Sequence, residues 1–402
     1  MRLWFVLFLL VGQGCPALVQ AYTAEQDGYY VNIRLWAADS IKRMEIQQPS
    51  RIRVENKTFY APIVLISKPG NKVLLIDSIK QYVLLDEVFL ESQDAEAHWH
   101  LQSKEMGDFV TRGSLHIRVI EGGELQIVNH ILLEEYLVGV VGPELGSLNE
   151  NPESLKAQIV ASRSYVLAMK GRHEAEGYDF CDQPHCQVYG GLKGIPSAIW
   201  KMLATVRGEY VAYEGAPIPA FFHDTCGGVT ADPQEVWKID PKPYLKPHKD
   251  GSPQAHCRFS PHSRWTVTLS EEDLKDFLRK QGWLKGRDAL ISFKVIRSDH
   301  SGRAQQIIVQ GNQQKWIPAR VFVDTFNRSQ KQYELRSTFF QVIRLDDDYH
   351  FIGRGWGHGV GLCQWGAMQL AKEGKSYRQI LATYFPGTEV ETLSQPALAQ
   401  LP

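Results

Sequence analysis

The chain has 402 residues, of which 44% are hydrophobic and 22% are charged, with 33 glycines and 20 prolines. This composition is typical of a folded globular protein and excludes disordered and collagen-like chains. Lys and Arg number 44 and Asp and Glu 45, so the formal net charge of −1 lacks the basic excess of a nucleic-acid binder. At about 100–200 residues per domain, the length predicts two or three domains.

The N-terminus has the features of a secretory signal peptide. Arg2 precedes a short apolar run at residues 3–11, and Val19-Gln20-Ala21 offers a cleavage site. We therefore expect residues 1–21 to be removed and the mature chain to be exported across the cytoplasmic membrane, to the periplasm or cell envelope. An uncleaved membrane anchor is the alternative. No later run reaches the roughly 18 apolar residues of a spanning helix, so we expect no transmembrane span in the mature chain.

Residues 22–125 are predicted to form a β-rich region. Apolar and polar residues alternate at 30–36 and at 115–120, which predicts strands with one buried face. Further predicted features are strands at 73–76 and 82–90 and a hairpin turn at Glu121-Gly122-Gly123. No residue of this region indicates a particular chemistry, so it is either a docking domain or a scaffold.

Helical character begins around Glu134, and a long helix is predicted between Asn151 and Gly171. Asn151 is a good N-cap, Pro152 suits the first helical position, and Gly171 suits a helix end. The spacing predicts a buried stripe, a stripe of small residues, and a cationic face that is either solvated or turned toward a substrate. These three sets are Leu155, Ile159, Ser162, Val166 and Met169; Ala157, Ala161, Ser164 and Ala168; and Lys156, Arg163 and Lys170.

A second α/β segment is predicted at residues 265–342, inserted into a domain that spans residues 126–390. The expected later elements are a helix from Ser270 to Arg279, strands at 291–296 and 306–309, a helix from Gln364 to Lys372, and a last helix opened by a capping box at Ser376 and Gln379. Residues 391–402 are expected to be a tail. Because strands and helices are not segregated, the predicted fold class is α+β: a β-rich N-terminal region followed by a mixed α/β core.

Five glycines fall on every second residue: Gly353, Gly355, Gly357, Gly359 and Gly361. If this segment is extended, one of its faces carries no side chains and admits another backbone or a ligand very closely. The glycines then mark either tight packing in a sheet or the floor of a binding cleft. In the second case Trp356 is a candidate sugar-stacking ring and His358 a candidate hydrogen-bond donor.

Six ordered blocks carry a resemblance to a known family. They are LEEYLVGVVGPEL at 133–145, SLKAQIVASRSY at 154–165, CDQPHCQVY at 181–189, HDTCGGVT at 223–230, GRGWGHGVGLCQWGA at 353–367 and YFPGT at 384–388. Together they resemble the SpoIID/LytB peptidoglycan proteins of bacterial sporulation and cell-wall remodelling. Two departures are small: Leu145-Gly146 stands where Met-Pro is more usual, and Cys363 often corresponds to Ser.

The resemblance implies an enzyme that acts on glycan strands. Catalytic members of the family look like lytic transglycosylases, which cut the β-1,4 bond between N-acetylmuramic acid and N-acetylglucosamine and leave a 1,6-anhydro end. Strands without stem peptides are the substrate that the family suggests. Two alternatives stay open: a non-catalytic glycan-binding enhancer of an N-acetylmuramoyl-L-alanine amidase, which would then be a partner, and a zinc hydrolase acting on the wall.

The acid of the family maps onto Glu144. A glycosidic oxygen is a poor leaving group until an acid protonates it, and that acid needs a raised pKa. Val140, Val141, Pro143 and Leu145 supply an apolar setting that favours the protonated form. Because the 6-hydroxyl of the sugar can act as nucleophile, one Glu can serve as acid and then as base. The alternative for Glu144 is an ordinary surface carboxylate.

Eight residues of the blocks are candidates for binding the glycan. They are Lys156, Gln158, Arg163 and Tyr165 in the second block and His223, Trp356, His358 and Gln364 in later blocks. Arg163 and Tyr165 are suited to hydrogen-bond sugar or N-acetyl groups or to support Glu144. Each candidate is equally suited to be a buried structural partner.

The third block has a spacing close to that of zinc ligands. Cys181 and Cys186 flank His185, and thiolates with imidazole suit Zn²⁺. A structural zinc needs four ligands, so His173 or another distant residue would have to join them. The resemblance supports this interpretation, because some relatives bind zinc at this block. The expected cofactor is a structural Zn²⁺ that catalysis does not require.

The other cysteines leave alternatives open. An exported protein permits disulfides, which are most plausible between Cys181 and Cys186 and between Cys226 and Cys257, and free thiols are a third possibility. The residues before Cys15 fit a bacterial lipobox poorly. Removal of residues 1–21 would leave five cysteines of the six, an odd number that cannot all pair within the chain.

Overall fold

The part of the chain described by the computed structural model comprises residues 29–94, 97–145 and 151–393. The side chains of Glu144 and Leu145 are not included. The predicted signal peptide, Cys15 and residues 394–402 of the predicted tail lie outside the described residues. Within the described residues, no helix combines the length and the apolar character needed to cross a bilayer.

The described residues contain eight α-helices, all of which follow an N-terminal run of twelve β-strands. The helices are α1 (Leu133–Leu145), α2 (Pro152–Met169), α3 (Ser197–Thr205), α4 (Pro233–Trp237), α5 (Glu271–Lys280), α6 (Ala319–Ser329), α7 (Gln364–Lys372) and α8 (Tyr377–Tyr384). Several separate sheets accompany them. The protein is therefore α+β, and the predicted fold class is confirmed.

Twelve strands precede the first of these helices. They are β1 (Tyr30–Leu35), β2 (Arg43–Gln48), β3 (Arg51–Val54), β4 (Lys57–Tyr60), β5 (Ile63–Lys68), β6 (Lys72–Ile76), β7 (Tyr82–Leu85), β8 (Glu87–Ser92), β9 (Trp99–Ser103), β10 (Gly107–Thr111), β11 (Ser114–Ile120) and β12 (Glu124–Leu132). With β13 (Phe180–Cys181) they form a seven-stranded sheet in the order β13-β1-β12-β11-β8-β3-β4 and a six-stranded sheet in the order β10-β9-β2-β5-β6-β7. Alternate side chains of both sheets contribute to one hydrophobic core.

The predicted hairpin between β11 and β12 is confirmed, with Ile120 paired to Glu124. The single strand predicted at 82–90 is wrong, because the chain bends at Asp86 and β7 and β8 lie in different sheets. The two apolar runs on either side of Asp86 and Glu87 do not by themselves reveal a change of sheet. The parallel pairing of β1 with β13 fastens the N-terminal region to the segment that carries Cys181.

Helix α2 begins as the sequence predicts. The Asn151 side chain accepts a hydrogen bond from the Glu153 amide at 2.9 Å, and Pro152 is the first helical residue. Twelve residues of this 18-residue helix are buried, because α1, α3, α7, α8 and two strands surround it. Both predicted apolar stripes are therefore largely internal.

The predicted cationic face of α2 is wrong. Arg163 has no exposed surface, whereas Lys156 pairs with Glu153 at 2.8 Å and the Lys170 ammonium donates to the Tyr30 carbonyl at 2.8 Å. The seven-residue spacing places the three residues on one side of the helix correctly, but that side packs against protein at Arg163. Spacing alone does not show which neighbours a face meets.

A second hydrophobic core collects side chains between Trp265 and Phe351. Its elements besides α5 and α6 are β17 (Trp265–Ser270), β18 (Ser292–Ser298), β19 (Ala304–Gln310), β20 (Gln314–Pro318), β21 (Phe340–Leu345) and β22 (Asp348–Gly353), in two three-stranded sheets. The predicted helix after Ser270 is confirmed, and the Ser270 hydroxyl accepts from the Asp273 amide at 3.1 Å. The strands predicted at 291–296 and 306–309 correspond to β18 and β19.

Short strands join the six sequence blocks around α2. They are β14 (Glu209–Tyr213), β15 (Ala216–Pro217), β16 (Phe222–His223), β23 (Leu362–Cys363) and β24 (Glu389–Thr392). Parallel pairing of β16 with β23 sets His223 opposite Cys363, so the fourth block lies directly beside the fifth. Helix α7 spans the predicted residues, and α8 opens with the predicted capping box at Ser376 and Gln379.

Candidate functional site

Glu144 lies in the last turn of α1, and its side chain is outside the described residues. Val140 and Val141, about one turn before it, are completely buried. Pro143 lies inside the helix and contacts the loop at Gly190. The backbone therefore places Glu144 at a helix C-terminus, directly after a buried turn.

A buried ion pair joins the start of α1 to the middle of α2. Arg163 donates from Nε to Glu134 Oε1 at 2.8 Å and from Nη2 to Glu134 Oε2 at 2.7 Å. Its Nη1 donates to the Glu209 carbonyl at 2.7 Å. Side-chain exposure is 0% for Arg163 and 4% for Glu134. Arg163, a predicted substrate-binding residue, therefore faces Glu134 and strand β14 and fixes α1 against α2.

Gln158 and Gln364, two further predicted substrate-binding residues, lie together in a buried polar network. Gln158 Nε2 donates to Ser162 Oγ at 3.1 Å, and Gln364 Nε2 lies 3.5 Å from Gln158 Oε1. Gln187 donates to the Ser162 carbonyl at 3.4 Å and accepts from the Tyr136 hydroxyl at 3.3 Å. This network connects the first, second, third and fifth blocks of the sequence through hydrogen bonds.

Lys156 and Tyr165 occupy the two ends of α2. The Lys156 ammonium pairs with Glu153 and lies 5.7 Å from the centroid of the Tyr377 ring, so it is half-buried near the start of α8. Tyr165 is buried, and its hydroxyl accepts from Arg172 at 2.9 Å. Burial raises the pKa of Tyr165 to about 12, so its hydroxyl stays neutral at physiological pH.

His223 and His358 lie in one aromatic cluster with their ring centroids 5.4 Å apart. Trp237 lies 4.7 Å from His358, and Phe221 lies 4.7 Å from Trp237. Burial lowers the pKa of His223 well below its usual range and that of His358 to about 3, so both imidazoles are neutral. His223 Nδ1 donates to the Val360 carbonyl at 3.1 Å, which leaves Nε2 buried without a partner among the described atoms.

The glycine segment does not form the extended strand that the spacing predicts. After Gly353, which ends β22, the remaining four glycines have positive φ, between 72° and 96°. A Cβ on Gly355 would lie 2.4 Å from the Thr225 carbonyl oxygen, and one on Gly361 would lie 2.2 Å from the Phe221 carbonyl oxygen. Gly355, Gly357 and Gly361 therefore admit residues 221–227, and Gly359 admits the Arg303 guanidinium, so the segment is not an open cleft floor.

A group of polar side chains surrounds Trp356, which is half-buried. The His262 ring lies 4.4 Å from Trp356 in an edge-to-face arrangement, and the Arg336 guanidinium lies 5.9 Å from the indole centroid. Arg336 Nη1 donates to His262 Nδ1 at 2.8 Å. Asp224 is half-buried nearby, and burial raises the pKa of its carboxyl. Sequence reasoning assigned no role to Asp224, His262 or Arg336, because their proximity depends on long-range topology.

Four side chains of the third block and the turn before it form a candidate metal centre: His173, Cys181, His185 and Cys186. Their ligand atoms all lie within 4.8 Å of one another. Cys186 Sγ lies 3.4 Å from His173 Nε2 and 3.6 Å from His185 Nδ1, and Cys181 Sγ lies 3.8 Å from His185 Nδ1. The structure thus brings the predicted ligands together and supplies His173 as the fourth.

The surroundings of this centre fit a zinc ion. Glu176 Oε1 lies 2.7 Å from His173 Nδ1, which leaves His173 Nε2 directed at the thiols. A carboxylate in this place orients a ligating imidazole and increases its basicity. Two thiolates and two imidazoles in a closed arrangement are typical of structural zinc.

Comparison with known proteins gives two family matches. The model for the stage II sporulation protein family (SpoIID) matches residues 121–213, which include α1, α2 and the candidate metal centre. A domain of unknown function (DUF8618) matches residues 255–361, which include the second core.

Curated relatives extend the similarity. Stage II sporulation protein D of Bacillus subtilis is 29% identical over 284 residues, which cover 66% of this chain and 76% of the relative. Residues 121–213 thus match a SpoIID domain, and the chain is similar to proteins of the SpoIID/LytB family. The amidase enhancer of Bacillus subtilis is 29% identical over 295 residues, covering 63% of this chain and 40% of that protein. An uncharacterised protein of Brachyspira hyodysenteriae is also 29% identical, over 266 residues. These similarities support a cell-wall-related role.

Proposed function

We propose that this protein is a peptidoglycan lytic transglycosylase with Glu144 as its acid and base. The observation that carries the proposal is the placement of Glu144 at the end of a helix that a buried ion pair holds in position, within the segment that matches the family. Similarity to the SpoIID/LytB family supports it. The substrate is the β-1,4 bond between N-acetylmuramic acid and N-acetylglucosamine, in strands without stem peptides.

The helix end favours the protonated form of Glu144. The C-terminus of an α-helix carries a partial negative charge from unpaired carbonyl groups, and it disfavours a second negative charge by about 0.3–1 kcal/mol. No basic residue lies in the last turn of α1 to offset this effect.

The proposed reaction uses this proton first. The Glu144 carboxyl protonates the oxygen of the glycosidic bond, and the bond between that oxygen and C1 of N-acetylmuramic acid breaks. The 6-hydroxyl of the same sugar attacks C1, and the Glu144 carboxylate accepts the proton that this hydroxyl loses. Glu144 ends in its starting state, and no water is consumed. A second carboxylate, which hydrolytic glycosidases use, is therefore not required.

The remaining candidates divide into two groups by exposure. Arg163, Gln158 and Gln364 are buried, and we propose that they position α1, α2 and α7 around Glu144 rather than contact sugar. Trp356 is half-buried between His262 and Arg336, and we propose that its indole stacks on a sugar ring. Glycan strands lie outside the cytoplasmic membrane, so this function requires the export that the N-terminal sequence predicts.

The proposed zinc at His173, Cys181, His185 and Cys186 is structural. His173, Cys181, His185 and Cys186 would supply all four ligands of a tetrahedral ion, which would leave no open position for a substrate. Removal of the ion with a chelator should lower the melting temperature and should leave catalysis intact in the fraction that stays folded. Loss of turnover without loss of folded protein would instead indicate a zinc hydrolase.

An amidase enhancer is the second candidate function, and the similarity to the amidase enhancer of Bacillus subtilis favours it. In that case the protein would bind glycan strands and an amidase without cutting the strands itself. The two functions differ in their dependence on Glu144.

A comparison of Glu144→Gln with wild type tests the proposal. Both proteins are incubated with purified glycan strands, with and without stem peptides, and the products are analysed by mass spectrometry. Glu272→Gln is the matched control, because Glu272 is an exposed carboxylate of α5 in the second core. We expect 1,6-anhydro fragments from wild type and Glu272→Gln only. Unchanged strand binding with no cleavage by wild type would favour the amidase enhancer.

A further inference from the structure

A second cluster of metal-ligating side chains lies away from the His173 centre. It consists of Cys226, Asp250, Cys257 and Cys363, which we call the three-cysteine cluster. At most 1% of the surface of each residue is exposed. Their ligand atoms all lie within 4.8 Å of one another.

The cluster is assembled by the fold rather than by a local motif. Cys226 follows β16, Cys257 lies in the short 3-10 helix His256–Phe259, and Cys363 ends β23 and is the N-cap residue of α7. Cys226 and Cys363 are 137 residues apart in the sequence. The parallel pairing of β16 with β23 brings them together.

The sulfur spacing matches metal ligation better than a disulfide. Cys226 Sγ and Cys257 Sγ lie 3.4 Å apart. Two thiolates on a tetrahedral zinc, each about 2.3 Å from the ion, lie about 3.8 Å from each other. A disulfide would require a distance of about 2.05 Å between the two sulfur atoms, and it would not involve Cys363 or Asp250.

Hydrogen bonds from the backbone already orient the ligands. The Cys226 amide donates to Cys363 Sγ at 3.3 Å, and the Gly228 amide donates to Cys226 Sγ at 3.3 Å. Asp250 accepts from the Cys257 amide at 2.9 Å and from the Tyr384 hydroxyl at 2.6 Å. Such donors to thiolate and carboxylate ligands are the outer shell that tunes a metal site.

The buried carboxyl group of Asp250 also favours a bound cation at this cluster. Both donors to Asp250 are neutral groups, and no described Lys, Arg or His side chain forms an ion pair with this buried carboxylate. Arg303 is buried beside the cluster and donates to the Cys226 carbonyl at 2.8 Å. A divalent ion would offset most of the negative charge, which burial otherwise makes very costly.

We propose that Cys226, Asp250, Cys257 and Cys363 bind a second structural zinc ion. Three thiolates select a borderline-soft metal such as Zn²⁺ over Mg²⁺ or Ca²⁺, and four protein ligands close the coordination sphere. The ion fastens residues 226–257 to the start of α7. It thereby supports residues 221–227, which pack against the glycines. Thr225 of this segment forms a β-bridge with Trp356. This proposal does not depend on the transglycosylase function.

The test measures zinc in the full chain, purified without chelator and under anaerobic conditions. We expect about two zinc ions per chain in wild type and about one in the Cys181→Ser/Cys186→Ser variant, which lacks the thiols of the first centre. X-ray absorption at the zinc edge of that variant should show about three sulfur ligands and one oxygen ligand. Cys257→Ser should also reduce wild-type zinc by about one ion.

Two results would overturn the proposal. The first is a Cys181→Ser/Cys186→Ser protein that is folded by circular dichroism but contains no zinc. The second is a Cys226–Cys257 disulfide in the purified wild-type chain, detected by peptide mapping without reduction. If Cys257→Ser does not fold, the zinc content and sulfur coordination of wild type still decide the question, because the first centre alone predicts about one zinc with two sulfur ligands.

Discussion

Replacement of Arg163 by Met tests whether this residue positions α1 or binds glycan. The substitution would leave Glu134 buried, with 4% of its side chain exposed, opposite an apolar group. Removal of one partner of a buried ion pair costs about 3–5 kcal/mol, because the other charge stays in a medium that solvates it poorly. At about 2–4 °C per kcal/mol for a unit of 150–250 residues, the melting temperature should fall by roughly 6–20 °C.

Two further variants make this prediction specific. Arg320→Met removes an exposed pair, since Arg320 and Asp324 have side-chain exposures of 49% and 47%, and it should cost about 0.5 kcal/mol or less. The double variant Glu134→Leu/Arg163→Met removes both charges and should recover most of the stability lost in Arg163→Met. Urea unfolding, monitored by circular dichroism, measures the free energy of unfolding of Arg163→Met and of these two variants.

The double variant also separates the two roles of Arg163. If Arg163 only positions α1, a folded double variant should bind glycan strands with wild-type affinity. Normal stability with strongly weakened strand binding would refute the positioning role and would restore Arg163 as a substrate ligand. A loss below about 1 kcal/mol in Arg163→Met would refute the energetic argument itself.

Three other predictions concern the segment around the glycines. Burial lowers the pKa of His223, so His223 in the unfolded state binds a proton before His223 in the folded state as the pH falls below about 6.5. The free energy of unfolding in urea should therefore be highest above that pH. Below it, His223 should lower this free energy by up to about 1.4 kcal/mol per pH unit. Gly361→Ala should destabilise by more than 2 kcal/mol, because its Cβ would meet a carbonyl oxygen at 2.2 Å, whereas Gly374→Ala, with open space around it, should cost only about 1 kcal/mol. Trp356→Ala should weaken strand binding several-fold, about 1 kcal/mol, whereas Trp316→Ala on the exposed face of the second core should not.

Each of these predictions has a clear contradiction. A His223→Asn protein with the same pH dependence as wild type would show that His223 does not titrate as described. Equal decreases in the free energy of unfolding of Gly361→Ala and Gly374→Ala would show that the backbone of residues 221–227 moves to make room for a Cβ at position 361. Unchanged binding by Trp356→Ala would remove the indole from the glycan site.

Local chemistry made the helix ends predictable from the sequence. Asn151, Ser270 and Ser376 cap helices through side-chain oxygens that reach amides two or three residues ahead, so the signal and the structure lie within one turn. The strand pattern failed at Asp86, where the chain passes from one sheet to another. It also failed at the glycines, because the two-residue period fits alternating positive φ as well as an extended strand.

The contacts of the site could not be predicted, because they depend on long-range topology. Glu134 and Arg163 are 29 residues apart and on different helices, so no periodicity links them. The first metal centre was visible because three of its ligands lie within six residues. The three-cysteine cluster was not, since Cys363 reaches Cys226 only through the pairing of β16 with β23.

The most direct test of the central claim is glycan cleavage in water enriched in ¹⁸O. A lytic transglycosylase closes the new end with the 6-hydroxyl of the sugar, so the fragments from wild type should be 1,6-anhydro species that contain no ¹⁸O. Glu144→Gln should yield none of them while retaining the wild-type melting temperature. Fragments with one ¹⁸O at a reducing end would show hydrolysis and contradict the proposed role of Glu144 as the acid and base of a lytic transglycosylase.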